Sequence, residues 1–537
     1  MGALTTSTLW LIASGPLVLA IIALLPGTGS RRATRLRIAF AKLAALLTVA
    51  LALATAWAVI THGTLRTGTA GGAGLGFSLY VDALSAMMFC LVSLIGLVVI
   101  TYSDNYLDGD PGQARFIRWL CLTLAAVLTV IVSGNLLQFA LAWVATSLGL
   151  HRLLLFYPGR QAAVLAARKK FLSSRLGEAA LLGAMALLYR QFGSLDYATL
   201  FAAAANLAAA PIPAGVHAAA ALLGLAAILK SAQFPLHGWL IEVMETPTPV
   251  SALLHAGIIN AGGFLVLRFA DVISLSSATL HGLAIIGGLT ALFGSVVMLT
   301  QTSIKVSLAY STIAQMGFML LECGLGAFPA ALLHILAHSF YKAHAFLSSG
   351  SVIDIARASW TPSPGGRPHP LRMVISIVAV MAVTVIVSSL FGATITAQPG
   401  VFVQGSVVAL ALILLVANGI DERPNGYVVV RTAAMAVIVA VTYFALQRLM
   451  DLAVAGSLPR TEALRGPLDL AIVIAIIASF AAITVFQGLL PGQGAAPRWE
   501  ALYAHVANGF YINTFANRWV LRLWPSRPRA LLRVDSR

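Results

Sequence analysis

Long apolar runs alternate with short polar connections along almost the whole chain. Most runs are about 20 residues long, the length that an α-helix needs to cross a bilayer. In lipid only helices and closed barrels satisfy their backbone hydrogen bonds, and runs of this length favour helices. We therefore expect an all-α polytopic membrane protein with 14–15 transmembrane helices. The predicted spans are residues 7–25, 36–60, 79–101, 116–133, 135–157, 164–190, 216–240, 248–270, 279–300, 304–325, 328–352, 371–392, 403–419, 427–447 and 468–490.

The composition agrees with this pattern. Of 537 residues, 59% are hydrophobic and only 10% are charged, whereas soluble proteins carry about 25% charged residues. A secreted disulfide scaffold, a disordered regulator and an ordinary soluble enzyme are thereby excluded. Cys90, Cys121 and Cys323 lie in apolar runs and share no ligand spacing, so neither a disulfide nor a metal site is predicted on this chain.

The net charge of +16 comes from 28 Arg and six Lys against 18 acidic residues. Basic residues concentrate after odd-numbered spans, for example Arg31 and Arg32, and the group Arg152, Arg160, Arg168, Lys169, Lys170 and Arg175. Since cytoplasmic loops of membrane proteins are rich in Lys and Arg, we expect the amino terminus outside and the carboxyl terminus in the cytoplasm. The charge therefore indicates topology, and no nucleic-acid partner is predicted.

The last 40 residues mix arginines with aromatic side chains. Two interpretations stay open: a helix lying on the membrane surface, or a docking element for a cytoplasmic partner, because protein interfaces are also enriched in Arg and aromatic residues. The candidate partner-binding residues are Trp499, Tyr503, Phe510, Tyr511, Arg518 and Trp519.

Ionisable residues inside apolar runs are the candidate functional residues, because each costs about 2.5–3.5 kcal/mol at mid-bilayer and tends to mark a pathway or a partner. Lys230 ends the run AALLGLAAILK and precedes Gln233-Phe234-Pro235. Since Pro235 cannot continue a helix, we expect a helix break with free backbone carbonyls beside a buried ammonium that exchanges its proton. A lysine that reaches the interface with its amine is the alternative.

Histidines form the second group. His334 and His338 are four residues apart in LLHILAHSFYKAH and share one helix face with Lys342, while His255 lies between apolar neighbours. Neutral histidine passes protons at physiological pH, which favours a proton relay. Core histidines with satisfied hydrogen bonds and a metal site are the alternatives. Lys305 is either a residue of the cytoplasmic edge or an internal member of the relay.

Acidic residues complete the set. Glu178 follows Arg175 by three residues, which predicts an ion pair on one helix face, and Glu242 and Glu245 follow the helix break. No phosphate-binding loop, Cys/His metal set or nucleophile elbow is present, which argues against an enzyme and against a cofactor on this chain.

Residues 229–268 (LKSAQFPLHGWLIEVMETPTPVSALLHAG and onward) and 298–351 resemble the antiporter-like proton-translocating subunits of respiratory complex I and of Mrp antiporters. FSLYVDALSAMM and RKKFLSSRLGE extend the match to residues 75–355. The resemblance implies two inverted five-helix repeats with broken helices and a polar axis in mid-membrane. By motif position, Lys230 matches the broken-helix lysine, His255, His334, His338 and Lys305 match the central axis, and Arg175 and Glu178 match the Arg-x-Gly-acid motif.

The chain departs from that pattern at two places. The glutamate of the family's Gly-Trp-Glu is replaced, because the sequence reads Ala142-Trp143-Val144, and no lysine follows Lys342. With LAWVATSLGLHRLLLFYPGR and LYAHVANGFYINTFANRW, these departures resemble membrane subunits of DAB-type inorganic-carbon accumulating complexes. The resemblance implies a bacterial inner-membrane, proton-conducting subunit with a cytoplasmic zinc β-carbonic-anhydrase-like (DabA-type) partner, which would hold the zinc.

The expected organisation has four parts: N-terminal transmembrane helices (1–75), an antiporter-like core (76–420), C-terminal transmembrane helices (421–492) and a cytoplasmic or interfacial tail (493–537). Two other functions stay open. One is a proton-pumping subunit of a complex I-, hydrogenase- or Mrp-like assembly, and the other is a membrane anchor whose channel has decayed.

Overall fold

Helices make up most of the residues that the structure describes. The computed structural model describes residues 6–25, 30–207, 211–350, 370–419, 426–489 and 497–525. Its α-helices are α1 (Thr6–Leu9), α2 (Ser14–Leu24), α3 (Arg31–His62), α4 (Ala83–Tyr106), α5 (Gln113–Val132), α6 (Leu136–Leu154), α7 (Gln161–Phe192), α8 (Tyr197–Leu207), α9 (Ala214–Lys230), α10 (Gly238–Glu242), α11 (Thr248–Leu253), α12 (Ala261–Arg268), α13 (Ala270–Ile273), α14 (Ser277–Met298), α15 (Ile304–Gly324), α16 (Phe328–Leu347), α17 (Pro370–Leu390), α18 (Pro399–Gly419), α19 (Gly426–Ala453), α20 (Pro467–Leu489), α21 (Pro497–Ala507) and α22 (Ile512–Leu523).

Short elements join some of the helices. Trp10–Ala13, Val243–Glu245 and Gly509–Tyr511 are 3-10 turns, and Leu254–Ile258 is a π-helix between α11 and α12. The connection from α3 to α4 forms two antiparallel two-stranded sheets, in which β1 pairs with β4 and β2 with β3. The strands are β1 (Leu65–Arg66), β2 (Ala70–Gly72), β3 (Leu75–Phe77) and β4 (Tyr80–Val81).

The predicted all-α polytopic membrane fold is confirmed. Every predicted span overlaps a helix, and within the described ranges nine helices are long and apolar enough to cross a membrane. The helix break after Lys230 is confirmed as well, since α9 ends at that residue and α10 begins at Gly238. The inverted repeats, the four-part division and the side of each terminus stay predictions.

The apolar core is continuous through the first two thirds of the chain. One large cluster of buried side chains joins α2 to α16. Two smaller clusters hold α17–α20 against α14, α15 and α16. The helices that carry the candidate residues are therefore packed on several sides by other helices.

Helices α14 and α15 approach each other backbone to backbone. A Cβ atom at Gly317 would lie 2.4 Å from the backbone nitrogen of Ala291, and one at Gly287 would lie 2.5 Å from that of Leu321. Small residues at such interfaces let membrane helices pack closely. This packing fixes α15, the helix that carries Lys305 and Glu322.

A buried ion pair joins two distant parts of the core. Arg268, in the last turn of α12, donates to both carboxylate oxygens of Asp82 at 2.9 Å. Asp82 is also the N-cap of α4, where its side chain accepts from the backbone of Ser85. Both charged side chains are almost fully buried, so each neutralises the charge of the other.

Candidate functional site

Lys230 lies at the end of α9, where the chain leaves the helix. Ser231 follows as the C-cap, and the backbone N–H of Phe234 bonds the Thr290 hydroxyl at 3.1 Å rather than a helical carbonyl. Pro235 cannot donate a hydrogen bond. The local sequence therefore stops the helix with a lysine at its tip.

The Lys230 amine is enclosed by α6. It is 7% exposed, lies 4.3 Å from the centre of the Trp143 ring and donates to the Ser147 hydroxyl at 3.4 Å. A ring face stabilises a cation in a desolvated place. Val144, which stands where the family motif has glutamate, supplies no carboxylate here.

Lys170, on α7, also contacts Ser147. Its amine donates to the Ser147 carbonyl at 2.7 Å, and the side chain is 3% exposed. A cavity of about 10 Å³, lined by Lys170, Lys230, Ser173 and Trp239, lies beside the two amines; that is about the smallest space that holds one water. The sequence pattern groups Lys169 and Lys170 with loop charges, but both are buried within α7.

Arg175 and Glu178 form the predicted ion pair, at 2.7 Å. The Glu178 carboxylate is buried and acts electrostatically on both Lys170 and Lys230. In this part of the protein, the Glu178 carboxylate is therefore the negative charge shared by Arg175, Lys170 and Lys230.

The π-helix Leu254–Ile258 carries His255 away from this cluster. Leu254 and Ile258 line the Lys230 cavity, while the His255 imidazole Nδ1 is 2.9 Å from the Thr312 hydroxyl and its ring stacks on Phe346 at 4.4 Å. π-helices are rare and are frequent at functional sites. This one places His255 between the Lys230 cluster and helix α16.

Helix α16 carries the remaining histidines in one row. The rings of His334 and His338 are 6.4 Å apart, and His338 interacts electrostatically with His255. His334 Nδ1 lies 3.2 Å from the Glu322 carboxylate. Lys342, fully buried, donates to the Leu308 carbonyl at 3.1 Å. The structure thus brings the predicted histidines and Lys342 together.

Lys305 lies at the edge of this row. It is half-buried in the first turn of α15, and its amine donates to the Thr248 hydroxyl at 3.0 Å. Leu308, the partner of Lys342, follows one turn later. Lys305 is therefore both a helix-end residue and one turn from the buried row.

A cavity of about 340 Å³, lined by both polar and apolar side chains, opens on the other side of the histidines. Glu322, His334 and His338 line it from α15 and α16, and Gln404 and Gln447 from α18 and α19. Several of their buried polar atoms have no hydrogen-bond partner among the described residues. Such atoms usually bond water, so the cavity suits a hydrated path.

Asp451 lies one turn beyond Gln447 on α19, and the sequence patterns do not single it out. Its carboxylate accepts from the Thr461 hydroxyl at 3.5 Å, and it lines a second cavity, of about 360 Å³, with Gln398, Arg448 and Arg460. This cavity lies at the predicted outer end of α19. The position of a single acidic residue near the end of an apolar helix is the sequence feature from which Asp451 could have been predicted.

Glu242 does not lie in the buried row. It pairs with Lys169 at 2.7 Å and accepts hydrogen bonds from Asn513 at 3.0 Å and Asn517 at 2.8 Å. Asn513 also accepts from Lys169 at 2.6 Å. The predicted proton-path residue Glu242 is thus an anchor for the tail helix α22, close to the helix break.

The predicted partner-binding residues divide into two sets. Trp499 packs on Phe486, and the Tyr503 hydroxyl donates to the Thr300 carbonyl at 3.3 Å. Phe510, Tyr511, Arg518 and Trp519 are exposed, and Trp519 is 67% exposed. The tail therefore rests on the core with one face and presents aromatic and basic side chains on the other.

These features define a polytopic membrane subunit of the transporter or antiporter type. The chain belongs to the NADH:quinone oxidoreductase/Mrp antiporter transmembrane family, whose model matches residues 133–402. Residues 69–117 match the N-terminus of complex I chain 5.

Individual relatives make the likeness more specific. The chain is 42% identical to the probable inorganic carbon transporter subunit DabB2 of Halothiobacillus neapolitanus, over 85% of this chain and 82% of that protein. It is 50% identical to subunit DabB of Hydrogenovibrio crunogenus over 51% of this chain and 53% of that one. NAD(P)H-quinone oxidoreductase chain 5 of Synechocystis is 40% identical over 53% of this chain and 42% of its own length.

Two solved structures share the fold. The Mrp complex from Dietzia sp. DQ12-45-1b matches with a TM-score of 0.63 at 23% identity, over 96% of this chain and 60% of that one. The membrane-bound sulfane sulfur reductase, an archaeal respiratory membrane complex, matches with a TM-score of 0.57 at 19% identity, over 96% of this chain and all of that one.

Proposed function

We propose that this chain is the proton-conducting membrane subunit of an energy-coupled complex that accumulates inorganic carbon. One combined observation carries the proposal: the row of buried ionisable groups occurs in a chain that is similar, over 85% of its length, to a subunit named as a probable inorganic carbon transporter. The proton motive force would drive a carbonic-anhydrase-like partner.

The order of the buried groups supports proton conduction. From the predicted outer side, Asp451 and its cavity come first, one turn beyond Gln447, which lines the cavity of Glu322 and His334. His338, Lys342 and His255 follow. The π-helix then borders the cavity of Lys230 and Lys170, near the predicted cytoplasmic end of α6. Protons cross such a series by short steps between side chains and water.

The energy of this proton current suits the accumulation of bicarbonate. One proton that moves through 100 mV releases about 2.3 kcal/mol, which changes an equilibrium constant by about 40-fold. Coupled to CO₂ hydration, such a current would make that reaction effectively one-way. The zinc-activated water for the hydration would belong to the partner.

The partner would be a cytoplasmic zinc β-carbonic-anhydrase-like subunit that binds the tail. Phe510, Tyr511, Arg518 and Trp519 offer the exposed aromatic and basic side chains that interfaces favour. The buried face of α22 ends on Glu242 and Lys169, so a protein bound to the tail would be connected to the segment that follows the helix break.

A complementation experiment tests the function. A bacterial host without carbonic anhydrase, which does not grow at ambient CO₂, should grow when it expresses this chain together with a cytoplasmic DabA-type subunit. It should also take up labelled inorganic carbon, and an uncoupler should abolish that uptake. If cells that contain both proteins do not grow at ambient CO₂ and do not take up inorganic carbon, the proposal is overturned.

Replacement of Trp519 by alanine is expected to weaken partner binding at least tenfold, because truncation of an exposed aromatic anchor at an interface costs about 2 kcal/mol or more. Co-purification of the tagged chain with the partner measures this. Trp57→Ala is the matched control, since Trp57 is 68% exposed but lies on α3.

Equal capture of the partner by the Trp519→Ala variant and the wild type would contradict a docking role. If the variant instead lost affinity for anionic lipid vesicles in a tail-peptide assay, the tail would be a membrane-surface helix.

A second candidate is a proton-pumping subunit of a complex I-, hydrogenase- or Mrp-like assembly. The 40% identity to NAD(P)H-quinone oxidoreductase chain 5 favours it, whereas Val144 in place of the family glutamate weighs against it. Co-purification with Fe–S subunits, or sodium-dependent transport, would support this candidate instead.

A further inference from the structure

We propose that Lys170 is a proton-exchanging residue of the path and shares a single excess proton with Lys230 across Ser147. The inference rests on the proposed proton conduction and names a residue for it. Two buried lysines would then transfer the proton, in place of the lysine and carboxylate of an ion-pair gate.

The geometry of Ser147 carries the inference. Its carbonyl accepts from the Lys170 amine at 2.7 Å, and its hydroxyl accepts from the Lys230 amine at 3.4 Å. The two amines therefore approach one residue from two helices, α7 and α9. The adjacent cavity is lined by both lysines and is about large enough for one water, which would complete a short path between them.

The charges around the two amines limit how many protons they hold. From α7, Glu178 acts on both lysines, but one of its oxygens is 2.7 Å from the Arg175 guanidinium. From α6, His151 interacts electrostatically with Lys170. Two ammonium groups side by side repel each other strongly where water is scarce. With one shared carboxylate, the arrangement favours one charged and one neutral lysine.

The transfer step conserves charge. The Lys230 ammonium loses a proton to the water or hydroxyl between the two side chains, and the neutral Lys170 amine takes up a proton from it. Lys230 becomes neutral and Lys170 becomes the ammonium. His151 lies one turn beyond Ser147 in the last turn of α6, so the next step would lead toward the predicted cytoplasmic end of that helix.

Neighbouring Lys169 does not share this role. Its amine pairs with Glu242 at 2.7 Å and bonds Asn513 in the tail. It thus has a close carboxylate partner, which Lys170 does not have among the described residues.

Three variants of the full-length chain test the inference in proteoliposomes, with an imposed potassium diffusion potential and an internal pH-sensitive dye. Lys170→Met should lower proton flux about 100-fold, the usual scale for a lost proton-transfer group. Lys170→Arg should be equally inactive, because a guanidinium keeps its charge but does not release its proton. Lys42→Met is the control. Lys42 is a half-exposed lysine on α3 that pairs with Asp104 on α4, and this variant should conduct protons normally.

A double variant separates proton exchange from packing. Val144 lies one turn before Ser147 on α6, so Val144→Glu in the Lys170→Met background places a carboxylate on the face that Lys230 contacts. This double variant should recover flux.

Normal flux in Lys170→Met or Lys170→Arg, or no recovery in the double variant, would overturn the role of Lys170. Wild-type flux with the expected variant pattern but no inorganic carbon uptake in cells would support Lys170 and defeat the proposed function. No flux in the wild type would overturn both.

Discussion

Replacement of Lys230 by methionine is expected to abolish proton flux and, with it, growth of the carbonic-anhydrase-deficient host at ambient CO₂. Lys230 lies between the Trp143 ring and Ser147, and its side chain lines the small cavity that Lys170 also lines. Methionine keeps the length and the apolar stem but removes the exchangeable proton. A loss of about 100-fold or more is expected for a proton-transfer group, measured by dye quenching in proteoliposomes.

The control for Lys230 has to separate conduction from folding. Lys42→Met removes a lysine from α3, where it pairs with Asp104 at 2.6 Å, and should leave flux unchanged. Both variants should elute as single species in detergent. Wild-type growth of the host with Lys230→Met, together with no proton flux in either the variant or the wild type, would identify the chain as an anchor whose channel has decayed, the third of the functions that the sequence leaves open.

Replacement of Arg268 by leucine is expected to unfold or severely destabilise the protein. Breaking a buried ion pair on one side costs about 3–5 kcal/mol, because the remaining charge has no partner. Asp82 would be that charge, buried at the N-cap of α4. Fluorescence-detected size-exclusion chromatography after heating steps measures the loss as a lower apparent melting temperature and a lower yield.

Two further variants interpret that result. Arg190→Leu removes an exposed arginine and should change the melting temperature little. Asp82→Asn in the Arg268→Leu background removes the stranded charge and keeps an N-cap side chain, so the double variant should be more stable than Arg268→Leu alone. A double variant that is less stable than the single one would show that the two side chains do not act as a pair.

Most helices could be predicted from the sequence, because a bilayer permits few alternatives for long apolar runs. The helix break after Lys230 could also be predicted, since Pro235 follows a lysine at the end of an apolar run. The Arg175–Glu178 pair and the His334–His338 face depend on spacing within one helix. Local rules of three and four residues are sufficient for these features.

The features that escaped prediction depend on packing between distant segments. Lys169 and Lys170 resemble loop charges, yet α7 runs over 32 residues and buries both against other elements. Glu242 lies in the expected neighbourhood, but its partners Asn513 and Asn517 are about half the chain away in sequence. Asp451 becomes a candidate functional residue only because it lines a cavity in the folded protein. No periodicity or motif reports such contacts.

The Asp82–Arg268 pair also constrains the order in which the protein is made. The two residues are 186 positions apart, so α4 leaves the ribosome long before α12. Asp82 therefore enters the membrane before Arg268 has been made, and an unpaired charge in lipid costs up to about 2.5–3.5 kcal/mol on insertion scales. We expect α4 to be less stable in the membrane until α12 packs beside it and Arg268 neutralises the carboxylate.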